Sequence, residues 1–397
     1  MNMFMRRVLI VPGLTIGLII SLIIGMSTAN RANAAISDCG NATLLEHAFS
    51  SGASWSLCAQ ANDTHALEVT SVHYRAPGGI LRSVLAQAHV SQILMHYHDE
   101  PTPRAQINDE SLSRLLPMSS TTCDGSLLLA DVESALVCSR ILDNRILAKY
   151  AQRPSLQSQR WELSSSLQNS GLIWTTSLSF TEDGQIMPAV SLSGRARETL
   201  TNAAFSASLP ASRRHLARAT VLATWRLVFN LDDAEFDEVQ QFDFPLNEGL
   251  GNRRPMQVTQ FDTEVFTTVK RDNFRGWRIY DPGGTGYYLD PSNSGFNFLG
   301  SGYNWARFDL AVTGNKPCEQ YALNNKPVSE SSQACGASLD DFVSGESLQG
   351  THPVLWFSQT RTFNPANEDW PAISNFHQSF TLLPYDWTPS SPFEVIE

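Results

Sequence analysis

Short extended runs, each closed by a turn signal, recur along most of this chain, and that rhythm constrains the fold more than any other feature. Residues 66–74 (ALEVTSVHY) alternate in part and are rich in β-branched side chains. Ala76-Pro77-Gly78-Gly79 then supplies a turn, and residues 83–97 give a further extended run. Residues 160–180 carry strand-like patterns on either side of Asn169-Ser170-Gly171, and Glu182-Asp183-Gly184 reads as a hairpin turn. Val354-Leu355-Trp356-Phe357 is a continuous apolar run suited to a strand buried on both faces. Roughly ten or more such strands at turn-punctuated spacing, with no internal repeat and no low-complexity tract, predict an all-β protein built as a large β-sandwich.

The N-terminus and the cysteines set the expected compartment. Arg6 and Arg7 precede an uncharged apolar run from Val8 to Met26, and Ala32-Asn33-Ala34 forms a small-residue cleavage site before Ala35. Residues 1–34 therefore read as a Sec-type signal peptide, with an uncleaved membrane anchor as the alternative. Residues 35–397 are expected to form a single domain, secreted or periplasmic. Six cysteines, Cys39, Cys58, Cys123, Cys138, Cys318 and Cys335, follow the leader. An even count after a signal peptide points to disulfides, and the three local pairs Cys39–Cys58, Cys123–Cys138 and Cys318–Cys335 are the simplest of fifteen connectivities. Each would restrict the unfolded chain by closing a short loop, contributing on the order of 3 kcal/mol. None has the CxxC spacing of a metal or redox site. Removing residues 1–34 takes away Arg6, Arg7 and Arg31 and no acid, so the formal charge moves from −11 to −14. That balance argues against nucleic acid or an anionic membrane as partner, and would suit a cationic ligand.

Residues 354–371, VLWFSQTRTFNPANEDWP, are the most distinctive stretch. The apolar strand start crosses an Asn364-Pro365 break and closes on Glu368, Asp369, Trp370 and Pro371. Two adjacent acids before an indole are unusual, because the ring asks for burial that carboxylates resist. On their own the acids read as caps of neighbouring backbone N–H groups. The order of elements, however, resembles the C-terminal signature of the copper amine oxidases, the topaquinone enzymes. In that family a VLW strand leads to a His-x-Pro copper ligand, then Glu-Asp-Trp-Pro, then a phenylalanine-rich strand, here Ser379-Phe380-Thr381-Leu382-Leu383-Pro384. The resemblance extends from about Trp55 to Pro384. It includes His96-Tyr97-His98-Asp99-Glu100-Pro101 in place of Pro-Tyr-Gly-Asp-Pro, the Asp183-Gly184 turn, Arg275-Gly276-Trp277-Arg278, and Gly286-Tyr287-Tyr288-Leu289-Asp290-Pro291. It implies the family's β-sandwich catalytic domain without the small α/β domains that usually precede it.

The same resemblance places the family's chemistry on residues unable to perform it. A topaquinone enzyme needs a tyrosine beside a copper ion held by three imidazoles, and an aspartate to remove the substrate's α-proton. The tyrosine position falls at Asn169-Ser170-Gly171, where Ser170 cannot become a quinone. Registering Trp225-Arg226-Leu227 on the segment that follows the His-x-His pair puts Ala219 and Val221 at two ligand positions, and Phe363 stands at the third. The base falls near Asn108-Asp109-Glu110, with Asp109 the aligned acid. Val228 and Asn230 occupy positions where the family's peripheral calcium site expects acids. No tyrosine lies between Tyr150 and Tyr280, and His215 is the sole histidine between His98 and His352, so a shift of register does not restore the set. The expectation is a catalytically inactive member without copper or topaquinone, serving as a binding or scaffold module for an unknown small ligand or protein partner, and a homodimer by resemblance.

Other constellations point less far. His96 and His98, two apart on a strand beside Asp99 and Glu100, have the spacing of a metal pair, and His73 and His89 stand nearby in sequence. Single pairs of this kind are more often surface histidines at a strand end. The alternative functions are primary amine oxidation, as an active enzyme of the amine oxidase family, or an enzyme of different chemistry using a metal relocated to His96 and His98 or the acids Asp109, Glu368 and Asp369. His215 beside Arg213 and Arg214 reads as a solvated cluster, and His352 and His377 as structural. Ser170 and Ser193-Gly194 lack the G-x-S-x-G setting of a serine hydrolase. Gly283-Gly284-Thr285-Gly286 lacks the Lys-Ser/Thr of a phosphate loop and reads as a turn.

Overall fold

The fold was analysed in a computed structural model, which describes residues 39–108, 113–129, 135–148, 156–199, 204–291, 302–325, 335–389 and 393. These lie in a unit spanning Ala34–Glu397. The segment 1–34 read as a signal peptide and Asp109 lie outside the described residues. Among the described residues no helix is long and apolar enough to cross a membrane.

Two large, almost wholly antiparallel sheets carry the chain, as the strand pattern predicts. The first is ordered Thr43–Ala48, Ser54–Asn62, Ala66–Arg75, Leu81–Tyr97, Ala219–Phe229, Pro353–Phe363, Leu310–Gly314 and Val265–Thr267. In the second, the strands Leu156–Asn169, Leu172–Thr181 and Ile186–Gly194 form a meander that continues into Thr381–Tyr385, Gly286–Asp290 and Gly276–Tyr280. The strand Thr43–Ala48 is not marked by the sequence pattern. It pairs with Ser54–Asn62 at the sheet's edge, and its half-exposed side chains give it no apolar signature.

The inner faces of the sheets pack through aromatic side chains. Trp55 lies 4.7 Å from Tyr74 and 5.0 Å from Phe180, and Phe357 lies 4.6 Å from Phe380, ring centre to ring centre. Three polar tips, two from the other sheet and one from the same sheet, then fasten the chain at the Glu182-Asp183-Gly184 turn. The Trp55 indole donates to the Thr181 carbonyl at 2.8 Å, the Tyr74 hydroxyl to Glu182 O at 2.7 Å, and the Tyr287 hydroxyl to Gly184 O at 3.0 Å. Each of these three rings thus finds a partner for its polar atom while its apolar body stabilises the core by about 1.5–3 kcal/mol.

The first sheet is covered on its outer face as well. A second apolar cluster there gathers Leu94, Leu222, Val228 and Trp356 from the strands under Trp305, Leu339 and Phe342. Burial on both faces explains why residues 354–357 read as an unbroken apolar run rather than an alternating one. The covering segment is held by Cys318–Cys335, one of three disulfides, the others being Cys39–Cys58 and Cys123–Cys138. All three are the local pairs.

Candidate functional site

The strand Ala219–Phe229 lies between Leu81–Tyr97 and Pro353–Phe363, and its register decides what meets around Ala219, Val221 and Phe363, the residues the resemblance aligns with metal ligands. Ala219 stands directly opposite Tyr97 on one side and Phe363 on the other. Directly paired residues project to the same face of a sheet, and so do residues two apart on one strand. Ala219, Val221 and Phe363 therefore converge, although the second and third are 142 positions apart. All three belong to the inter-sheet core, at 0%, 0% and 6% exposure. The Phe363 ring meets Phe376 edge-on at 6.4 Å. Methyl, isopropyl and phenyl groups carry no lone pair for a metal, so these residues do not fit a copper ion.

Ser170, which the family resemblance aligns with the topaquinone tyrosine, lies at a tight hairpin tip. Asn169 pairs with Leu172, leaving Ser170 and Gly171 as the two turn residues, at φ +52° and +85°. Two consecutive positive φ values are what a two-residue hairpin turn of right-handed twist requires, and glycine adopts them freely. Asn169 is buried and donates from Nδ2 to the Gln106 carbonyl at 3.0 Å, while the Ser170 hydroxyl donates to Asn169 Oδ1 at 2.8 Å. The asparagine thus ties the hairpin to the neighbouring segment, a job independent of any cofactor.

A cavity of about 610 Å³ opens beside this turn, with Tyr97, Arg104, Asn169, Ser170, Arg195 and Arg197 on its wall. Three guanidinium groups line the wall, and each is ion-paired, Arg195 with Glu198 at 3.3 Å and the other two with acids just behind the wall. Arg197 stacks 4.6 Å over the Tyr97 ring and pairs with Asp99 at 3.3 Å and with Glu100. Arg104 donates from Nε to the same Glu100 carboxylate at 2.8 Å. Burial pushes the Tyr97 phenol above its ordinary pKa, so it faces the cavity as a neutral donor. A second cavity, of about 280 Å³, is smaller and lies beside Asp237 and Leu348.

His96 and His98 have separate partners. His96 Nε2 donates to the Glu100 carbonyl at 2.9 Å, and His98 Nε2 lies 2.9 Å from Thr220 Oγ1. The group of His, Cys, Asp and Glu that lies close enough to share an ion, among the described residues, is instead His65, Glu68 and His89, all buried. His65 and Glu68 do not stand out in the sequence. His65 ends the turn between two strands, and only the register that sets Glu68 opposite His89 brings the set together.

The remaining singled-out residues have structural partners. Asp369 is buried and accepts from the Ala366 N–H at 2.9 Å and the Ser374 N–H at 3.2 Å, so it caps as its sequence context suggests. Glu368 is exposed in the same short turn. His352 Nδ1 approaches Asp237 at 3.4 Å, and His377 Nδ1 lies 3.0 Å from Ser191 Oγ. Val228 packs in the outer cluster, and Asn230 donates to Asp233 at 3.0 Å. Gly283 and Gly284 lie in the turn joining two paired strands.

Comparison with known proteins places this architecture. Residues 261–395 match the sequence profile of the family described as copper amine oxidase, enzyme domain. No curated protein matches the chain. Among solved structures, a copper-containing benzylamine oxidase from Hansenula polymorpha superposes with a TM-score of 0.67 at 16% identity, over 85% of this chain and 59% of that one. The Aspergillus nidulans amine oxidase gives 0.64 at 16% identity, over 86% of this chain and 52% of that one. Pichia pastoris lysyl oxidase gives 0.64 at 14% identity, over 85% and 52%. The chain therefore spans little more than half the length of these oxidases. The C-terminal third of the chain thus matches the copper amine oxidase enzyme-domain profile, and the chain as a whole shares the two-sheet architecture of these oxidases.

Proposed function

We propose that the protein is a catalytically inactive relative of these oxidases that works as an exported binding module, taking a small polar ligand into the cavity beside Ser170. The observation that carries this is the convergence of Ala219, Val221 and Phe363 in the core with no metal-ligating atom among them. Ser170 at the hairpin tip supports it, since a hydroxymethyl group has no ring to oxidise. The three disulfides fit an oxidising compartment. The guanidinium groups on the cavity wall, though ion-paired, still offer N–H donors, so the proposed ligand is one with a carboxylate or another acceptor-rich group that can share them.

Copper content alone does not test this, because other side chains can take up the ion. The purified chain is incubated with Cu²⁺ in air, treated with phenylhydrazine, and separately assayed for peroxide release from benzylamine. Neither a coloured hydrazine adduct nor peroxide is expected; either one overturns the proposal. Thermal stability is then followed against panels of small carboxylates and small amines. Carboxylates are expected to raise the melting temperature, and stabilisation by amines alone would reverse the assignment of ligand charge.

A further inference from the structure

Away from that cavity, on the outer face of the first sheet, three buried side chains stand together with no role in the proposed ligand site. Glu68 and His89 are paired residues on the strands Ala66–Arg75 and Leu81–Tyr97, and His65 closes the turn just before Glu68. One ligand atom from each lies within 4.8 Å of the other two. Their exposures are 5% for His65, 6% for Glu68 and 0% for His89. The imidazole rings of His65 and His89 stack at 4.4 Å, and Tyr321 closes one side with its ring 6.1 Å from His65.

The proton positions around this group do not resolve without a cation. His89 Nε2 lies 3.2 Å from the Gln320 carbonyl, which can only accept, so Nε2 carries the hydrogen and Nδ1 carries the lone pair. That Nδ1 is buried and has no hydrogen-bond partner. At His65, Nε2 lies 3.2 Å from Glu68 Oε2 and 2.5 Å from Asn62 Nδ2. The Asn62 amide orientation is fixed, because its Oδ1 accepts from the backbone N–H groups of Thr64 and His65 at 3.1 and 3.0 Å. If Nε2 is protonated it opposes the Asn62 NH₂; if it is not, its lone pair opposes the Glu68 carboxylate. Either choice leaves one clash in a buried place, where an unmatched polar contact costs about 1–3 kcal/mol.

We propose that His65, Glu68 and His89 bind a divalent transition-metal ion, Zn²⁺ being the ion their two-imidazole, one-carboxylate set suits. Such a cation occupies the gap between the His65 and Glu68 acceptors and takes the unused lone pair of His89. Zinc bonds of about 2.0–2.2 Å in a tetrahedron set ligand atoms roughly 3.3–3.5 Å apart, close to the 3.2 Å from His65 Nε2 to Glu68 Oε2. The supporting contacts are those a metal centre needs to orient its ligands. Gln320 O holds the far side of His89, Thr64 Oγ1 lies 3.1 Å from His65 Nδ1, and Gln60 Nε2 and Gln87 Nε2 donate to the Glu68 carboxylate. Arg226 stands next to His89 in the strand register and opposes a second positive charge; the carboxylates of Glu68 and Glu319 offset it. Binding requires Asn62 Nδ2 to draw back from Nε2 by a small shift that keeps Oδ1 on the Thr64 and His65 N–H groups. The ion would join the turn at His65 to the Leu81–Tyr97 strand and, through Gln320, to the Cys318–Cys335 segment, so its role is structural.

The full disulfide-bonded chain, stripped with EDTA and dialysed, is titrated with Zn²⁺ by calorimetry and its bound metal is counted. About one equivalent is expected. Glu68→Gln, a near-isosteric change, and His89→Gln are expected to weaken binding by tenfold or more, with near-ultraviolet circular dichroism unchanged. The double variant His96→Ala/His98→Ala is expected to bind as the wild type does. Co²⁺ is expected to give the visible absorption of a low-coordinate nitrogen and oxygen site, lost in Glu68→Gln. Absence of stoichiometric Zn²⁺ from the wild type overturns the proposal. So does full retention in folded Glu68→Gln, or loss on removing His96 and His98. Because the site is separate from the cavity, these results are independent of the hydrazine and peroxide assays.

Discussion

Replacing Phe363 by alanine tests whether the position that the family resemblance aligns with a metal ligand is packed core. Phe363 is 6% exposed, paired with Ala219, and edge-on to Phe376 at 6.4 Å. Truncating a buried phenylalanine costs about 3–5 kcal/mol, through lost transfer energy plus the cavity left behind. An edge-to-face aromatic contact of this separation contributes about 0.5–1.5 kcal/mol of that. Ala219 and Val221, small and held in the neighbouring strand, cannot swing in to fill the space, so the upper half of the range applies. Phe363→His keeps a ring but buries nitrogens without partners, and is expected to cost roughly 2–4 kcal/mol. Urea unfolding is followed in EDTA by tryptophan fluorescence and by circular dichroism, and the two transitions must coincide before a free energy is extracted. A double-mutant cycle with Phe376→Ala should return a coupling of about 1 kcal/mol. A cost below about 1 kcal/mol for Phe363→Ala would refute the picture of a dry, packed position and imply a roomy site that could still admit a ligand.

Two further outcomes are expected. Arg226 is buried beside Trp356 and donates to the Glu319 carbonyl at 2.7 Å, to Gln87 Oε1 at 2.5 Å and to Asn315 Oδ1 at 3.1 Å. Arg226→Met should therefore lose about 3–5 kcal/mol in urea unfolding, because Glu68 and Glu319 are left without their buried cation; a loss under 1 kcal/mol would show the guanidinium to be dispensable. Asp237 is held up to about 6 from 3.8, mainly by burial, against the opposing pull of His352. A raised carboxyl pKa means that the folded state holds the proton longer than the unfolded chain. Its contribution is therefore full below about pH 4 and is lost as pH rises through about 6. Asp237→Asn should remove that slope and gain on the order of 2–3 kcal/mol relative to wild type between pH 4 and 7, and parallel pH profiles for the two proteins would contradict the assignment.

The cost of Phe363→Ala rests on a contact the sequence could frame but not display. Phe363 stands out because a histidine is expected between a VLW strand and Glu-Asp-Trp-Pro. That the phenyl is sealed against Phe376, rather than lining a void, follows only from the packing of two sheets. Asp369 is the opposite case. Its capping role follows from local chain geometry, and the N–H groups it accepts from lie within five residues.

What the sequence determines by itself is therefore what nearest neighbours along the chain can specify. Alternating β-branched runs and Asp183-Gly184 give strands and turns, the short Cys spacings give local disulfides, and the order of motifs in residues 354–371 gives the family frame. Ala219, Val221 and Phe363 were legible as substitutions within that frame because each sits beside a recognisable motif. The tertiary structure alone decided that they share one face of one sheet, and that Tyr97, Asn169 and Arg197 share a cavity. It likewise set His65 and Glu68, from a turn and a strand start, against His89 on the next strand. The physical reason is register: a shift of one residue in any of these pairings would turn the side chain to the other face, and no local pattern in the sequence fixes a pairing between strands separated by more than a hundred residues.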